Sequence, residues 1–547
     1  MLAGESEDFA IAEKAYEKEF FREAVSYLEQ FVINYPRSKK ADYCYLILGI
    51  SELKLKRPKQ AAVRFQKILS SFPKSNYQEI TFYYLAVSLY EAEEFEEADK
   101  KFREFLEKYP DSRYAKFVHY NLVLSALRSE NLSRANLYLQ RLKESYPKSN
   151  LITSAEKIVA YRYYQEGLSH YRKKEDSSAL ADFQKVRVIT RESSLLANSL
   201  LKIGDIFFNQ KEYEKARGCY EKILSDFSAE AAAASALFQL GNIYQKQEKF
   251  GEARKAFKEI PLTFPKSPLI PDSIYEVGLI YFREGNYSEA RKNFENIMAN
   301  YPLAELAKSA LLQKALCYYN EKKYQKALST FQKFIEEYSE HQLLGEAYYG
   351  AGNTLLAMGK RRGAISLWQK YLHRHPQGSL SAEISLLLAR SFFEENKFEE
   401  ARRYCEKVLS NFPRDSSAPE ALYLLGVSSL KERKKEEAMA CFDKFLELYS
   451  EDSLASYILR EKGNLLMSQK RWPEAIEVFT KIPEENRVLD AELLFKIGDC
   501  LQNLKRPEEA LHSYLKIITF YNDIAPWNKK AEKVIAEIKK KPQMNTD

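Results

Sequence analysis

Cysteine and histidine, which often ligate metals or act as nucleophiles, are few in this chain and widely spaced. The six histidines include one close pair, His373 and His375, but no third ligand is adjacent, so this is half of a zinc site. The cysteines form no CxxC pair and fall within apolar helical patterns, which predicts small core side chains. They are Cys44, Cys219, Cys317, Cys405, Cys441 and Cys500.

The motifs of common catalytic sites are also missing. We find no glycine-rich phosphate loop, no nucleophile elbow and no HExxH motif. We therefore predict no enzyme activity, no metal site and no cofactor. The chemistry that remains is binding, for which 38 Tyr and 32 Phe supply aromatic surface.

A 37-residue repeat runs through nearly the whole chain. The phrase aromatic-x-Glu/Lys-Ala, followed four residues later by an aromatic residue or Leu, recurs throughout, and we count fourteen units. Eleven of thirteen intervals between the central alanines are 37 residues, and the exceptions are 44 and 35. The central alanines are Ala24, Ala61, Ala98, Ala135, Ala179, Ala216, Ala253, Ala290, Ala327, Ala364, Ala401, Ala438, Ala475 and Ala510.

Three further columns keep the same register. Twelve residues before the alanine stands a small residue, which is Gly in nine repeats, Ala in four and Val123 in one. Four residues after the alanine stands a bulky residue in almost every repeat. Twelve residues after it, eight repeats have Pro, namely Pro36, Pro73, Pro110, Pro147, Pro265, Pro302, Pro376 and Pro413.

These columns predict a helical hairpin in each repeat. In the seventh repeat, Ala231 to Gln247 is predicted as the first helix and Phe250 to Phe264 as the second. The small residues let the two backbones approach, and the bulky residue fills the space beside them. Neither helix can bury its apolar stripe alone, so each repeat needs its neighbours.

The pattern resembles the tetratricopeptide repeat over residues 6–522. The resemblance implies an all-α fold, an α-solenoid of about fourteen helix-turn-helix repeats forming a right-handed superhelix that binds proteins. The period exceeds the usual value of about 34 residues, and the extra residues lie around turns such as Tyr35-Pro36-Arg37-Ser38. Ring-Pro-x-Ser at this longer period is similar to bacterial envelope repeats, such as the lipoprotein of the outer-membrane β-barrel assembly machine and the periplasmic coordinator of the Tol–Pal system. Those proteins are shorter, and no lipidation Cys lies near Met1.

The resemblance also implies that partners bind on the concave face, which the first helices line. Nine repeats have a ring three residues before the small residue, and several have Asn or Asp one or five residues after it. Rings bury apolar side chains of an extended peptide and amides satisfy its backbone, although the same rings could instead pack helix on helix. The predicted binding residues are Tyr83, Tyr120, Tyr164, Asp205, Asn209, Phe238, Asn242, Tyr275, Tyr349, Asn353, Tyr423, Asn464 and Asp499.

A clamp for the carboxylate of a C-terminal peptide, which some relatives use, is not expected. Such a clamp needs Lys or Arg on the first-helix face. The column three residues before the small residue has Arg460 as its one cation.

The 44-residue interval before Ala179 marks a change in the array. Leu151 to Arg172 contains no Pro and predicts a first helix lengthened by about two turns, at 3.6 residues per turn. This is either a domain boundary or only a change of curvature. We divide the chain into residues 1–150 (repeats 1–4), 151–525 (repeats 5–14), a capping helix at 526–541 and a disordered tail at 542–547.

Charge and hydropathy limit the classes of partner and the cellular compartments that the sequence favours. The net charge of +7 over 547 residues is weak and does not indicate nucleic acid. No run of 18 apolar residues predicts a membrane span, and the first residues do not form a signal peptide. We therefore expect either a cytoplasmic protein, or a periplasmic one whose signal peptide has been removed or is not part of this sequence. Six unpaired thiols disfavour an oxidising compartment unless they are buried.

Two functional hypotheses follow. The first is a non-catalytic scaffold that binds proteins or extended peptides within a bacterial cell-envelope assembly, in outer-membrane biogenesis or around a periplasmic motor or secretion complex. The second is a cytoplasmic regulator that binds peptides or switches on a ligand. The sequence does not name the partners or the oligomeric state.

Overall fold

The computed structural model describes residues 2–483 and 486–540, and all regular secondary structure in those residues is helical. It contains 29 α-helices, two for each of the fourteen repeats and one after the last repeat. Odd-numbered helices up to α27 are the first helices of the repeats, and even-numbered helices are the second. The predicted all-α architecture is confirmed.

The helices of repeats 1–7 are α1 (Leu2–Glu17), α2 (Phe21–Asn34), α3 (Ala41–Lys54), α4 (Pro58–Ser71), α5 (Gln78–Glu91), α6 (Phe95–Lys108), α7 (Ala115–Arg128), α8 (Leu132–Ser145), α9 (Leu151–Arg172), α10 (Asp176–Ile189), α11 (Ser193–Asn209), α12 (Tyr213–Asp226), α13 (Ala231–Lys246) and α14 (Phe250–Thr263). The remaining helices are α15 (Ile270–Arg283), α16 (Tyr287–Asn300), α17 (Glu305–Asn320), α18 (Tyr324–Glu337), α19 (Leu344–Ala357), α20 (Arg361–Arg374), α21 (Ser381–Glu394), α22 (Phe398–Asn411), α23 (Ala418–Lys431), α24 (Lys435–Leu448), α25 (Ala455–Ser468), α26 (Trp472–Thr480), α27 (Arg487–Asn503), α28 (Pro507–Phe520) and α29 (Trp527–Lys540).

The chain divides into two compact units, Met1–Ser273 and Ile274–Asp547. Within each unit, a helix packs against the helices that precede and follow it, and first helices also contact first helices of adjacent repeats. Each unit is therefore an α-solenoid of tetratricopeptide-type hairpins. The superhelix handedness and the boundary at residue 150 stay predictions.

The hairpin core contains the predicted columns. All fourteen central alanines are fully buried, and the bulky residues four positions later are at most 4% exposed. A Cβ added to Gly241 would lie 2.6 Å from the ring of Phe257, and one added to Gly204 would lie 2.5 Å from the ring of Tyr220. Real Cβ atoms do not approach that closely, so each ring occupies the space that a side chain on the first helix would need.

A left-handed residue joins the two helices of every repeat. It lies five positions before the central alanine and is Gly in two repeats, Gly285 and Gly359, and a polar or charged residue in the other twelve. In the third repeat the Glu94 N–H donates to the Leu89 carbonyl (2.9 Å) and the Glu93 N–H to the Tyr90 carbonyl (3.0 Å). These two bonds form a Schellman cap, which ends the first helix and turns the chain back along it.

The ring-Pro-x-Ser motif forms the turn between repeats. After α6, the Ser112 N–H donates to the Tyr109 carbonyl (3.2 Å), which closes a β-turn with Pro110 at its second position. The Ser112 hydroxyl accepts from the Tyr114 N–H (2.9 Å) and donates to Glu79 on the preceding first helix (2.5 Å). The serine thus starts the next helix and ties it to the repeat before.

The lengthened helix lies where the sequence predicts it, since α9 is Leu151–Arg172. The connection after α10 differs from the usual turn, because Thr190 is extended and the Glu192 carboxylate accepts from the Leu195 N–H (2.9 Å). In the seventh repeat, α13 and α14 each end one residue before the predicted position.

The helix after the last repeat is α29, whose Ala531 and Ile535 are buried. Its predicted last residue, Lys541, and the predicted disordered tail 542–547 lie outside the described residues. Within the part of the chain that the structure describes, no helix is both long enough and apolar enough to cross a lipid bilayer.

Candidate partner-binding surface

In the residues that the structure describes, first helices of adjacent repeats lie side by side, and each compact unit has an open cavity among them. The cavity in the second unit, named here the C-terminal groove, has a volume of about 340 Å³. That is within the range of about 300–1,000 Å³ typical of ligand sites. Its lining comes mainly from α17, α19 and α21 and comprises Leu312, Leu316, Tyr319, Phe331, Glu346, Tyr349, Gly350, Asn353, Leu380 and Glu383.

The C-terminal groove combines an apolar floor with polar residues at its rim. Leu312 and Phe331 are buried beneath the groove, and the Phe331 ring packs directly against Gly350, which has no side chain to cover it. Burial and the nearby Glu383 carboxylate, which accepts a hydrogen bond from the Tyr349 hydroxyl, raise the pKa of Tyr349. Such a surface can bury an apolar side chain and hydrogen-bond to the backbone next to it.

The cavity in the first unit, named here the N-terminal groove, is larger, at about 870 Å³. It lies among α1, α3, α5 and the turns that follow α4 and α6, and tyrosines dominate its wall. Tyr43 packs on Tyr77 with ring centroids 5.3 Å apart. Burial, followed by the charge of Glu13, raises the pKa of Tyr43 to about 12. This groove offers aromatic faces and hydroxyl donors.

Two of the predicted binding residues, Tyr349 and Asn353, line the C-terminal groove together. Several predicted rings pack on the bulky residue of their own repeat. Ring-centroid distances are 5.7 Å for Tyr164 and Phe183, 5.1 Å for Phe238 and Phe257, and 5.5 Å for Tyr275 and Phe294.

The predicted aspartates hydrogen-bond buried tyrosines. Asp205 accepts from the Tyr220 hydroxyl (3.0 Å), and Asp499 accepts from the Tyr514 hydroxyl (2.7 Å). Tyr220 and Tyr514 are fully buried, so each hydroxyl needs an acceptor. These are the two repeats with Tyr four residues after the alanine. The aspartate in each therefore has a structural partner already.

Three predicted asparagines also have partners within the chain. Asn209 donates to the Tyr171 hydroxyl (3.2 Å), and Asn242 donates to Gln239 (2.9 Å). Asn464 accepts from the Lys496 ammonium (2.7 Å). Because these bonds lie along and between first helices, they order the surface of the first helices.

The remaining predicted tyrosines are half-buried on the same face. Tyr83 stacks on Tyr114, with ring centroids 5.1 Å apart and planes 17° from parallel. Burial raises the pKa of Tyr120, and burial followed by the charge of Glu461 raises that of Tyr423.

Sequence reasoning missed the carboxylates of the C-terminal groove, Glu346 and Glu383. Both stand six residues before the small residue of their repeat, so Glu346 lies one turn before Tyr349 on the same helix stripe. Extending the column analysis by one turn would have found them. It also missed Tyr77 and Tyr114, which lie in turns outside the helix columns.

The cysteines are held in environments that suppress reactivity. Cys44, Cys317, Cys405 and Cys500 are buried, and Cys219 and Cys441 are half-buried. Burial raises the pKa of all six thiols, to about 12 for Cys44 and about 11 for Cys500. Since the thiolate is the reactive form, burial and the raised pKa values disfavour reaction at these cysteines.

Several solved structures match the chain. A tetratricopeptide repeat protein from Parabacteroides merdae is 18% identical, covering 49% of this chain and 98% of its own, with a TM-score of 0.35. The C-terminal part of a TPR repeat-containing protein from Cytophaga hutchinsonii is 19% identical, covering 47% and 98%, with a TM-score of 0.38. Naa15/Naa10 bound to HypK-THB is 14% identical, covering 98% and 78%, with a TM-score of 0.35. No curated protein matches the chain.

Two family models match the chain. The model described as an outer membrane lipoprotein matches four segments, residues 5–81, 78–194, 270–362 and 345–541. A second model, described as a tetratricopeptide repeat, matches residues 195–260, in the gap between those segments. The chain therefore belongs to the tetratricopeptide repeat proteins, in the family whose model is described as an outer membrane lipoprotein.

Proposed function

We propose that this chain is a non-catalytic scaffold that binds partner proteins through the faces of its first helices. The observation that carries the proposal is the C-terminal groove, where Tyr349 and Asn353, two residues predicted from the repeat pattern, lie at the rim of an apolar cavity. An extended segment fits this surface, because the floor accepts apolar side chains and the rim offers hydrogen bonds to a backbone.

We further propose that the scaffold acts in a bacterial cell-envelope assembly, in outer-membrane biogenesis or around a periplasmic complex. The description of the family model supports this placement. The free cysteines favour the alternative, a cytoplasmic peptide-binding regulator. Free thiols argue against an oxidising compartment, but burial and raised pKa values weaken this argument, because buried protonated thiols resist oxidation.

Site-specific photo-crosslinking in the native organism tests the binding face. A photoreactive residue in place of Tyr349 or Tyr120 should cross-link to a defined set of proteins, identified by mass spectrometry. The matched control carries the same residue at Glu336, which is exposed on a second helix. Equal cross-linking from Glu336, or none from Tyr349 and Tyr120, would reject the proposal.

Cell fractionation separates the two compartments. Recovery of the native protein with the periplasm or the membranes supports the envelope assembly. Recovery in the cytosol alone would reject it and leave the cytoplasmic regulator.

A further inference from the structure

The C-terminal groove belongs to a stretch of three repeats with Glu six residues before the small residue. These are Glu346, Glu383 and Glu420, on α19, α21 and α23. A residue at this position is one turn from the ring column, so it faces the same groove as Tyr349. The column brings negative charge to the rim of an apolar surface.

The three carboxylates differ in their partners. Arg390 holds Glu420 in a two-pronged ion pair, through Nε to Oε1 and Nη2 to Oε2. In the residues that the structure describes, no lysine or arginine forms an ion pair with Glu346 or Glu383. Burial raises the pKa of Glu346, an effect that the nearby His341 opposes, and His341 itself hydrogen-bonds Glu305. The two glutamates that line the cavity are thus the two without a basic partner.

The floor between these carboxylates suits the stem of a long basic side chain. Leu312, Leu316 and Phe331 supply apolar surface in a volume of about 340 Å³. The methylene groups of lysine or arginine can cover such a floor while the charged head reaches a rim carboxylate. Tyr319 and Tyr349 add ring faces that attract a cation.

The N-terminal groove lacks this combination. Its lining carboxylates are Glu79, which accepts the Ser112 hydroxyl at 2.5 Å, and Asp111. The lining also includes a cation, Arg113, whose guanidinium lies over the Tyr114 ring at 4.9 Å from the centroid. The requirement for a basic ligand therefore applies to the C-terminal groove.

We infer that the C-terminal groove binds a lysine or arginine side chain flanked by apolar residues, on an extended segment of a partner protein. The inference rests on the proposed function and names the partner chemistry of one part of the same face. Binding pairs the Glu346 and Glu383 carboxylates with the cation, and the flanking apolar side chains cover the leucines of the floor.

Fluorescence anisotropy tests the inference. The full-length protein is titrated into three peptides, each labelled with an uncharged dye. The peptides have the sequence dye-SGLXLGS-amide, with the dye on the N-terminal amine and lysine, norleucine or glutamate at X. We expect the lysine peptide to bind about tenfold or more tightly than the norleucine peptide, and the glutamate peptide to bind most weakly. Equal affinity for lysine and norleucine would overturn the inference.

Paired variants locate the effect. Glu346→Gln with Glu383→Gln should lower the affinity for the lysine peptide by about tenfold and leave the norleucine peptide unchanged. The control, Glu336→Gln with Glu399→Gln, removes the same charge from exposed positions on second helices and should change neither. An equal loss of affinity for the lysine peptide in the control would show that net charge, and not the two groove carboxylates, is responsible, and would overturn the inference. If partners cross-link at Tyr349 but the lysine peptide binds no more tightly than the norleucine peptide, this inference is wrong and the proposed scaffold function still stands.

Discussion

The ring of Phe331 lies against Gly350, which belongs to the first helix of the next repeat. A Cβ on Gly350 would lie 2.6 Å from the Cε1 atom of that ring. In nine repeats the bulky ring faces a glycine of its own repeat, but the ninth repeat has Ala315 at that position. The next repeat therefore provides the glycine that this ring needs, and the ring becomes part of the floor of the C-terminal groove.

Gly350→Ala should destabilise the ninth and tenth repeats by about 1–3 kcal/mol, because the buried Phe331 ring must shift. Phe331→Leu in the same chain should recover part of that loss, with a coupling energy of about 0.5–3 kcal/mol. Hydrogen exchange of α18 and α19 measures both values. Strictly additive effects of the two substitutions would contradict the contact.

Ala253→Arg tests the register of the repeats. Ala253 is fully buried, so an arginine there overpacks the hairpin and buries a charge, at a local cost of about 3 kcal/mol or more. The control places the same arginine at Gly251, where an added Cβ meets nothing within 4 Å. Loss of helicity and a lower melting temperature are expected for Ala253→Arg only. Equal melting of the two variants would refute the register.

Glu248→Gly should stabilise the seventh repeat, by up to about 1 kcal/mol. Glu248 ends its first helix at φ 57°, a conformation that costs a residue with a Cβ roughly 1 kcal/mol. The gain is reduced by the greater entropy of glycine in the unfolded chain. Lys255→Gly, at an exposed position inside α14, should lose about 1 kcal/mol and serves as the comparison. Hydrogen exchange of α13 and α14 measures the change in local stability of both variants. If both substitutions lower the stability, the cap at Glu248 is not strained.

Asp499→Asn should alter how the last repeat responds to pH. Burial raises the pKa of Asp499, an effect that the Tyr514 hydrogen bond and Lys530 oppose. A carboxyl with a raised pKa binds its proton more tightly in the folded protein. Its contribution to the free energy of unfolding is therefore fully present below the pKa of the unfolded state, about 3.9, and is lost as pH rises through the pKa of the folded state. The Asn carbonyl can still accept the Tyr514 hydroxyl.

The stability of Asp499→Asn relative to the wild type should therefore increase between about pH 4 and pH 7. Hydrogen exchange of α27 and α28, corrected for intrinsic rates, measures this difference. A difference that is constant or falls with pH would contradict a raised pKa.

Periodicity predicted the helices well, because each hairpin is specified by residues within about 40 positions of one another. The bounds of α9 follow from a seven-residue insertion without proline, and the buried columns follow from the alanine register. Both follow from the regular spacing of the small residue on the first helix and the central alanine on the second, and this spacing can be read from a single sequence.

The binding surface was less predictable, because each side chain there has competing partners in neighbouring repeats. Asp205, which its column predicts as a binding residue, also accepts a hydrogen bond from the Tyr220 hydroxyl, fifteen positions away. That pairing was readable, since Asp follows the glycine in the two repeats whose ring is Tyr. Glu346 and Glu420 cannot be told apart by sequence, since only the structure shows which one Arg390 reaches.

Five joints between repeats contain the ring-Pro-x-Ser turn, and two of them share the same anchor. Ser75 donates to Asp42 at 2.6 Å just as Ser112 donates to Glu79, so the third and fourth repeats each start from an anchor on the repeat before. Removing or duplicating one 37-residue cassette would recreate such a joint, and the array could change length during evolution without any new packing solution. Repeats nine and ten are the exception: they would have to be inherited together, because the ring of one fits the glycine of the other.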